Sequence, residues 1–135
     1  MNTSNQNGYD GRKKPTILVV DDEPTIREAI RLILEKNFNI ISASNGFEAL
    51  EMYEKYKPDI VLMDIMMPIM NGIEATREIL KKHPDAVILA ISAYSDKKGE
   101  EIIKAGARDI LPKPFRRRDL VDFLMKFINT ASTTP

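Results

Sequence analysis

Ile60-Val61-Leu62-Met63-Asp64-Ile65-Met66-Met67-Pro68-Ile69-Met70-Asn71-Gly72 opens as an unbroken apolar run, β-branched at its start, and then meets a single carboxylate. A short run of this kind fits a strand buried on both faces, as in the middle of a parallel sheet. Asp64 falls where that strand should end, and an ionised Asp there is costly unless something compensates it. Pro68 and then Asn71-Gly72 mark a loop that leads into a helix. In open parallel sheets ligands bind beyond the carboxyl ends of the strands, so Asp64 stands where chemistry would be placed.

The flanking sequence repeats the pattern. Upstream, Thr16–Val20 reads as a short buried strand that runs into Asp21-Asp22-Glu23-Pro24. Pro24 suits a first helical position with an acidic residue before it as cap, and Ile26, Ile30, Ile33 and Leu34 give a helical stripe as far as Lys36. Ile40–Ala43 is a second strand, Asn45-Gly46 a turn, and Phe47–Tyr56 a helix with Leu50 and Tyr53 inward; Pro58-Asp59 breaks it. Downstream, Ile73–Lys82 is a helix closed by His83-Pro84, and Val87–Ile91 is a strand ending in Ser92-Ala93. Asp96–Ala105 is a weak helix: Gly99 inside it costs about 1 kcal/mol relative to Ala, and its apolar residues are chiefly Ile102 and Ile103. Gly106 fits the residue just past a helix end. Asp109–Leu111 is a fifth strand stopped by Pro112-Lys113-Pro114, and Arg116–Ile128 a last helix with Leu120, Leu124, Phe127 and Ile128 on one face. Five strands alternating with five helices predict a doubly wound parallel α/β sheet. Residues 15–129 then form one domain, 1–14 a disordered N-terminal extension poor in apolar residues, and 130–135 a polar tail.

Length and composition agree. The chain has 135 residues, enough for one domain with a full core. Formal net charge is zero, which argues for neither nucleic acid nor a membrane surface. With no cysteine, disulfides, thiol nucleophiles and cysteine-ligated metals are excluded. No apolar segment reaches membrane-spanning length and the N-terminus lacks the apolar core of a signal peptide, so a cytoplasmic location is expected. His83, the single histidine, is expected to be exposed and inert, and Arg116-Arg117-Arg118 to be the solvated start of a helix.

Taken singly, an Asp-Asp after a strand is often only a cap, a Ser only a turn former, and a Lys before Pro only a loop residue. Here Asp21, Asp22, Asp64, Ser92 and Lys113 all fall at the carboxyl ends of strands. If the first and third strands are neighbours, three carboxylates converge, and they could not all ionise comfortably without a cation. An all-oxygen cluster with few protein ligands suits Mg²⁺. Three negative charges would then face three positive ones, from Mg²⁺ and Lys113.

Asp21-Asp22 after the first strand, Asp64 followed by Met67-Pro68 and Gly72, Ser92-Ala93, and Lys113-Pro114-Phe115 together resemble the receiver domain of two-component response regulators. Asn45-Gly46 and Ala105-Gly106-Ala107 fit as well. The resemblance implies a flavodoxin-like sheet of order 2-1-3-4-5. It implies that Asp64 accepts a phosphoryl group from a histidine kinase or histidine phosphotransfer protein, forming an aspartyl phosphate. Mg²⁺ would be held by Asp22, Asp64 and the backbone carbonyl of Met66, with Asp21 reached mainly through water. Lys113 and Ser92 would meet the transferred group, and a switch involving Ser92, Ala93, Tyr94 and Ile110 would alter the face around the fourth helix and fifth strand. That face would serve a downstream effector protein or a phosphorylation-dependent dimer, with no direct nucleic-acid contact. The domain would be a signalling element whose only catalysis is its own phosphorylation and dephosphorylation. In many receivers the position held by Ile110 is aromatic, so the readout here differs.

Other aspartyl or phosphate chemistries fit less well. A haloacid-dehalogenase-type phosphatase needs a second Asp where Met66 stands. A flavodoxin or dinucleotide-binding protein needs a Gly-, Ser- or Thr-rich phosphate loop where Asp21-Asp22-Glu23 stands, and those carboxylates repel phosphate. A non-catalytic pseudo-receiver should lack one of the acidic residues or the Lys, and none is missing.

Overall fold

A computed structural model describes residues 14–93 and 97–132. The elements are β1 Thr16–Val20, α1 Pro24–Leu34, β2 Asn39–Ala43, α2 Gly46–Tyr56, β3 Ile60–Asp64, α3 Gly72–Lys82, β4 Ile88–Ser92, α4 Lys97–Ala105, β5 Asp109–Pro112 and α5 Arg117–Ser132. All neighbouring strands are parallel and the sheet order is β2-β1-β3-β4-β5. Residues 1–13, 94–96 and 133–135 lie outside the described residues, so the expected extension up to residue 13, the Tyr94 switch position and the end of the polar tail do too.

Strand alternation sorts the core into two apolar layers. Leu18, Val20, Val61, Met63, Ile88 and Ala90 pack one face against Ala49 and Tyr53 of α2, Ile73 and Ile79 of α3, and Ile102 of α4. Ile17, Val19, Ile60, Leu62, Leu89 and Ile91 pack the other against Ile30 and Leu34 of α1 and Leu120, Phe123 and Leu124 of α5. Every residue of β3 is buried, which is why its sequence lacks a polar alternation.

Two helix ends differ from expectation. α1 stops at Leu34 rather than Lys36, because the amides of Asn37 and Phe38 both turn back to the Leu34 carbonyl, at 3.1 Å each. α5 runs on to Ser132, through what reads as polar tail, since nothing between Asn129 and Ser132 breaks a helix. His83 is also not exposed: its side chain is 23 % accessible. Its ring lies 4.9 Å from that of Tyr53, and Nε2 is 3.0 Å from Glu54 Oε1, so it ties the end of α3 to α2. Arg116, Arg117 and Arg118 are exposed, as expected. Gly99 has a packing reason, for a Cβ there would stand 3.1 Å from Ile110 Cδ1. α4 therefore lies close against β5 at the cost in helix propensity that Gly carries.

The segment after β3 is pinned at two points. Gly72, which begins α3, donates its amide to the Ile65 carbonyl at 2.9 Å, and a Cβ on it would lie 2.1 Å from the Asp64 carbonyl oxygen. Ile69 holds φ at +71°, a left-handed conformation that costs a side chain of its type on the order of 1–2 kcal/mol. Gly72→Ala should therefore destabilise the fold by about 1–3 kcal/mol, the usual range for overpacking. Urea unfolding measures this, and an unchanged midpoint would mean that β3 and α3 separate freely.

Candidate functional site

Parallel pairing brings the carboxyl ends of β1, β3, β4 and β5 to one end of the sheet, and four side chains follow from that register. Asp64 is the last residue of β3 and 6 % exposed, beside Ile91 of β4. Ser92 ends β4, is buried, and pairs in register with Pro112. The Lys113 amide donates to the Ser92 carbonyl at 2.6 Å, which fixes where Lys113 leaves the sheet, and the peptide bond to Pro114 is cis.

Asp21 is held on every side. Its amide donates to the Ala43 carbonyl at 3.1 Å, and its own carbonyl accepts from Arg27 Nη1 at 2.6 Å. Oδ1 accepts the Glu23 amide at 2.9 Å and Oδ2 accepts Lys113 Nζ at 3.1 Å. The acidic residue at the start of α1 thus acts differently from expectation. Glu23 occupies the cap position without a side-chain cap bond, while Asp21 takes the Glu23 amide. Asp22, next in the same turn, is exposed and lines the mouth of the site.

Lys113 Nζ also lies 3.5 Å from Asp64 Oδ1. One ammonium therefore bridges two buried carboxylates. Carboxylate oxygens of Asp21, Asp22 and Asp64 all lie within 4.8 Å of one another. Three carboxylates against one ammonium leave two negative charges unbalanced, the charge of one divalent cation. Burial, then the neighbouring Asp21 carboxylate, pushes the Asp64 carboxyl up to about 6 despite Lys113. Burial works to lower Lys113, but Asp64 and Asp21 outweigh it and hold the ammonium above its usual range.

These groups open onto a cavity of about 550 Å³ lined by Asp22, Glu23, Asp64, Met66, Ser92, Ala93, Lys98 and Lys113, among others. Glu23 and Lys98 are additions that sequence reasoning missed. Glu23 adjoins the Asp pair and could have been counted with it; Lys98 carries no signal until α4 is placed. Ile110 is not in this group; it packs against the layer beneath α4. A larger cavity of about 700 Å³ between α2 and α3, lined by Leu50, Tyr53, Ile79 and His83 among others, gathers no comparable set.

The donor set fits Mg²⁺: hard carboxylate oxygens, few of them, in a charge-deficient mouth with room for water. Asp21 has both oxygens engaged by Glu23 and Lys113, which leaves Asp22 and Asp64 as the freer ligands.

A family model described as the response regulator receiver domain matches residues 17–125. A chemotaxis protein CheY from Halobacterium salinarum is 44 % identical over 108 residues, covering 78 % of this chain and 90 % of that protein. A chemotaxis protein CheY from Thermotoga maritima is 44 % identical over 113 residues, covering 82 % and 94 %. Among solved structures, the receiver domain of a sensor histidine kinase from Pseudomonas aeruginosa, with a magnesium ion coordinated in its active site cleft, aligns with a TM-score of 0.81 at 30 % identity, covering 87 % of this chain and 99 % of that one.

The raised carboxyl of Asp64 has a thermodynamic signature. Without metal, the folded chain keeps a proton on Asp64 between about pH 4 and pH 6 that the unfolded chain has lost. Stability should therefore fall by something of order 3 kcal/mol as pH rises through that window, relative to Asp64→Asn, which has no such group. Urea midpoints of both proteins in chelator, across pH 4–7, measure the difference. Near neutral pH Asp64→Asn should be the more stable protein in chelator, and Mg²⁺ should narrow or reverse the gap by stabilising the wild type.

Proposed function

This chain belongs to the response regulator receiver family, and we propose that Asp64 is its phosphoacceptor, loaded by a histidine kinase or histidine phosphotransfer protein. The observation that supports this is the buried carboxylate of β3 lying within 4.8 Å of two others, with Lys113 between it and Asp21. An Asp64 oxygen attacks phosphorus in line, the new O–P bond forms, and the P–N bond to the donor imidazole breaks. The electron pair leaves with the imidazole, which picks up a proton. The product is an aspartyl phosphate.

Asp22, Asp64 and the Met66 carbonyl would hold Mg²⁺, and Asp21, whose oxygens accept from Glu23 and Lys113, would contribute mainly through water. When bound, the metal offsets charge on the transferring oxygens. Lys113 does the same from the β5 side, and Ser92, though buried, also lines the cavity. Such a domain is a signalling element. Its chemistry is limited to gaining and losing its own phosphoryl group, and a cytoplasmic location fits a phosphohistidine donor. Among the described residues no helix is long and apolar enough to cross a membrane.

Phosphorylation adds about one negative charge to the mouth, and Ser92 and Lys113 are drawn towards it. Both sit at strand ends whose backbones are bonded to each other. The next element, α4, buries one large side chain, Ile102, while Ile103 is exposed. With Gly99 inside it, α4 is the helix least well anchored by sequence and the natural one to move. Ile110 in contact range of Gly99 couples β5 to it where many receivers use an aromatic. The altered α4–β5 face then binds an effector or a second copy.

Acetyl phosphate with Mg²⁺ should add a single phosphoryl group, read by intact mass, and Asp64→Asn should remain unlabelled. Full labelling of that variant would move the acceptor elsewhere. The lifetime of the group follows from the same loop. Met66 is 63 % exposed, lines the cavity, and offers no carboxylate or amide to orient an attacking water. Met66→Asn should hasten loss of the phosphoryl group by roughly tenfold, about 1.4 kcal/mol in the barrier. Decay no faster than in the wild type would mean that water access at Met66 does not set the lifetime.

A further inference from the structure

Of the charged side chains lining the cavity onto which Asp64 opens, Asp22, Glu23 and Asp64 are acidic and Lys98 and Lys113 are basic. The two lysines differ. Lys113 is already bonded to Asp21 and Asp64. Lys98 is exposed and forms no hydrogen bond or ion pair with another described residue.

The place of Lys98 in α4 gives it no local reward. It is the second residue of the helix, and the first turn of a helix favours anions over cations. Glu48, Glu74 and Asp119 fill the matching turns of α2, α3 and α5; α4 has Glu100 there but sets Lys98 ahead of it. The far end of α4 is fixed. The Gly106 amide meets the carbonyls of Ile102 and Ile103 at 3.2 and 2.9 Å, and a Cβ on Gly106 would lie 2.2 Å from Leu80 Cδ1. Ile102 is fully buried. Displacement of α4 therefore falls mainly on its first turn, where Lys98 stands.

Resting on the phosphoacceptor reading above, we propose that Lys98 is a second phosphoryl contact: once Asp64 carries the group, the Lys98 ammonium pairs with one of its oxygens and draws the first turn of α4 towards the mouth. The charges favour this. With a divalent cation the clustered Asp21, Asp22 and Asp64 are balanced by metal and Lys113, the phosphoryl group then adds about one negative charge, and Glu23 at the rim adds to the same side. Lys98 is the cation left at the cavity to meet that excess. A lysine suits the role, since a point charge on a long flexible stem meets a phosphoryl oxygen without a fixed geometry. Gly99, the next residue, packs against Ile110. A pull at Lys98 thus reaches β5 through the α4 backbone, without the aromatic side chain that many receivers carry at the position of Ile110.

Beryllofluoride, a tetrahedral mimic of a phosphoryl group on a carboxylate, reads the contact in Mg²⁺ without turnover. Lys98→Gln should melt no lower than wild type in its absence and bind it roughly tenfold more weakly, whereas Lys98→Arg should bind nearly as wild type. Lys104→Gln removes the same charge from the last turn of α4 and should also bind as wild type. Hydrogen exchange at the amides of 98–101 should slow with beryllofluoride in the wild type and not in Lys98→Gln. Wild-type affinity in Lys98→Gln overturns the proposal, as does first-turn exchange that beryllofluoride leaves unchanged in the wild type. Equal weakening in Lys104→Gln also overturns it, since the charge would then act from a distance and not by contact. If acetyl phosphate leaves wild-type Asp64 unlabelled in Mg²⁺, the phosphoacceptor reading itself fails.

Discussion

A single ammonium joins the ends of three strands. Lys113 Nζ reaches Asp21, 92 positions away in the chain, and Asp64, 49 positions away. Inside a folded protein such attractions are strong, but removing the partners from water opposes them, so the cluster adds little net stability. The apolar layers on the two faces of the sheet hold the fold. The cluster instead sets a state of charge: two carboxylates too many, one of them reluctant to ionise. Proton, divalent cation and phosphoryl group each alter that balance, which makes the strand ends responsive while the sheet beneath stays rigid.

Much of this was legible in the sequence because it depended on local pattern. A β-branched apolar run marked β3, punctuation by Pro and Gly marked the loops, and polar residues stood at each strand end. The parallel sheet converts those one-dimensional positions into a cluster without further information. What escaped notice depended on pairs distant in the chain. Asp21 was expected to meet a metal mainly through water, but its bonds to Ala43 and Lys113, far along the chain, could not be read from the sequence. His83 looked exposed because nothing local reports Tyr53 and Glu54 beside it. The left-handed backbone at Ile69 carries no mark at all, since isoleucine is the residue least suited to it. α5 outran its apolar stripe because a helix already formed extends through polar residues at little cost.

Gly99 shows how a local weakness can be a tertiary requirement. By propensity it marks α4 as a poor helix, and by packing it lets that helix approach Ile110. The same residue therefore loosens α4 internally and seats it against β5. An element so built can shift as a unit while keeping its register with the strand beside it.

The sheet also partitions the molecule's tolerance to change. Its side chains feed two separate apolar layers, one under α2, α3 and α4 and the other under α1 and α5. Substitutions within one layer share neighbours and so depart from additivity, whereas substitutions in opposite layers meet only through the strand backbone and combine nearly independently. Sequence drift can thus remodel the packing beneath α4 while the layer beneath α1 keeps its own complementarity. The chain is thus two half-cores that can be repacked separately, joined along the strands whose ends carry the carboxylates.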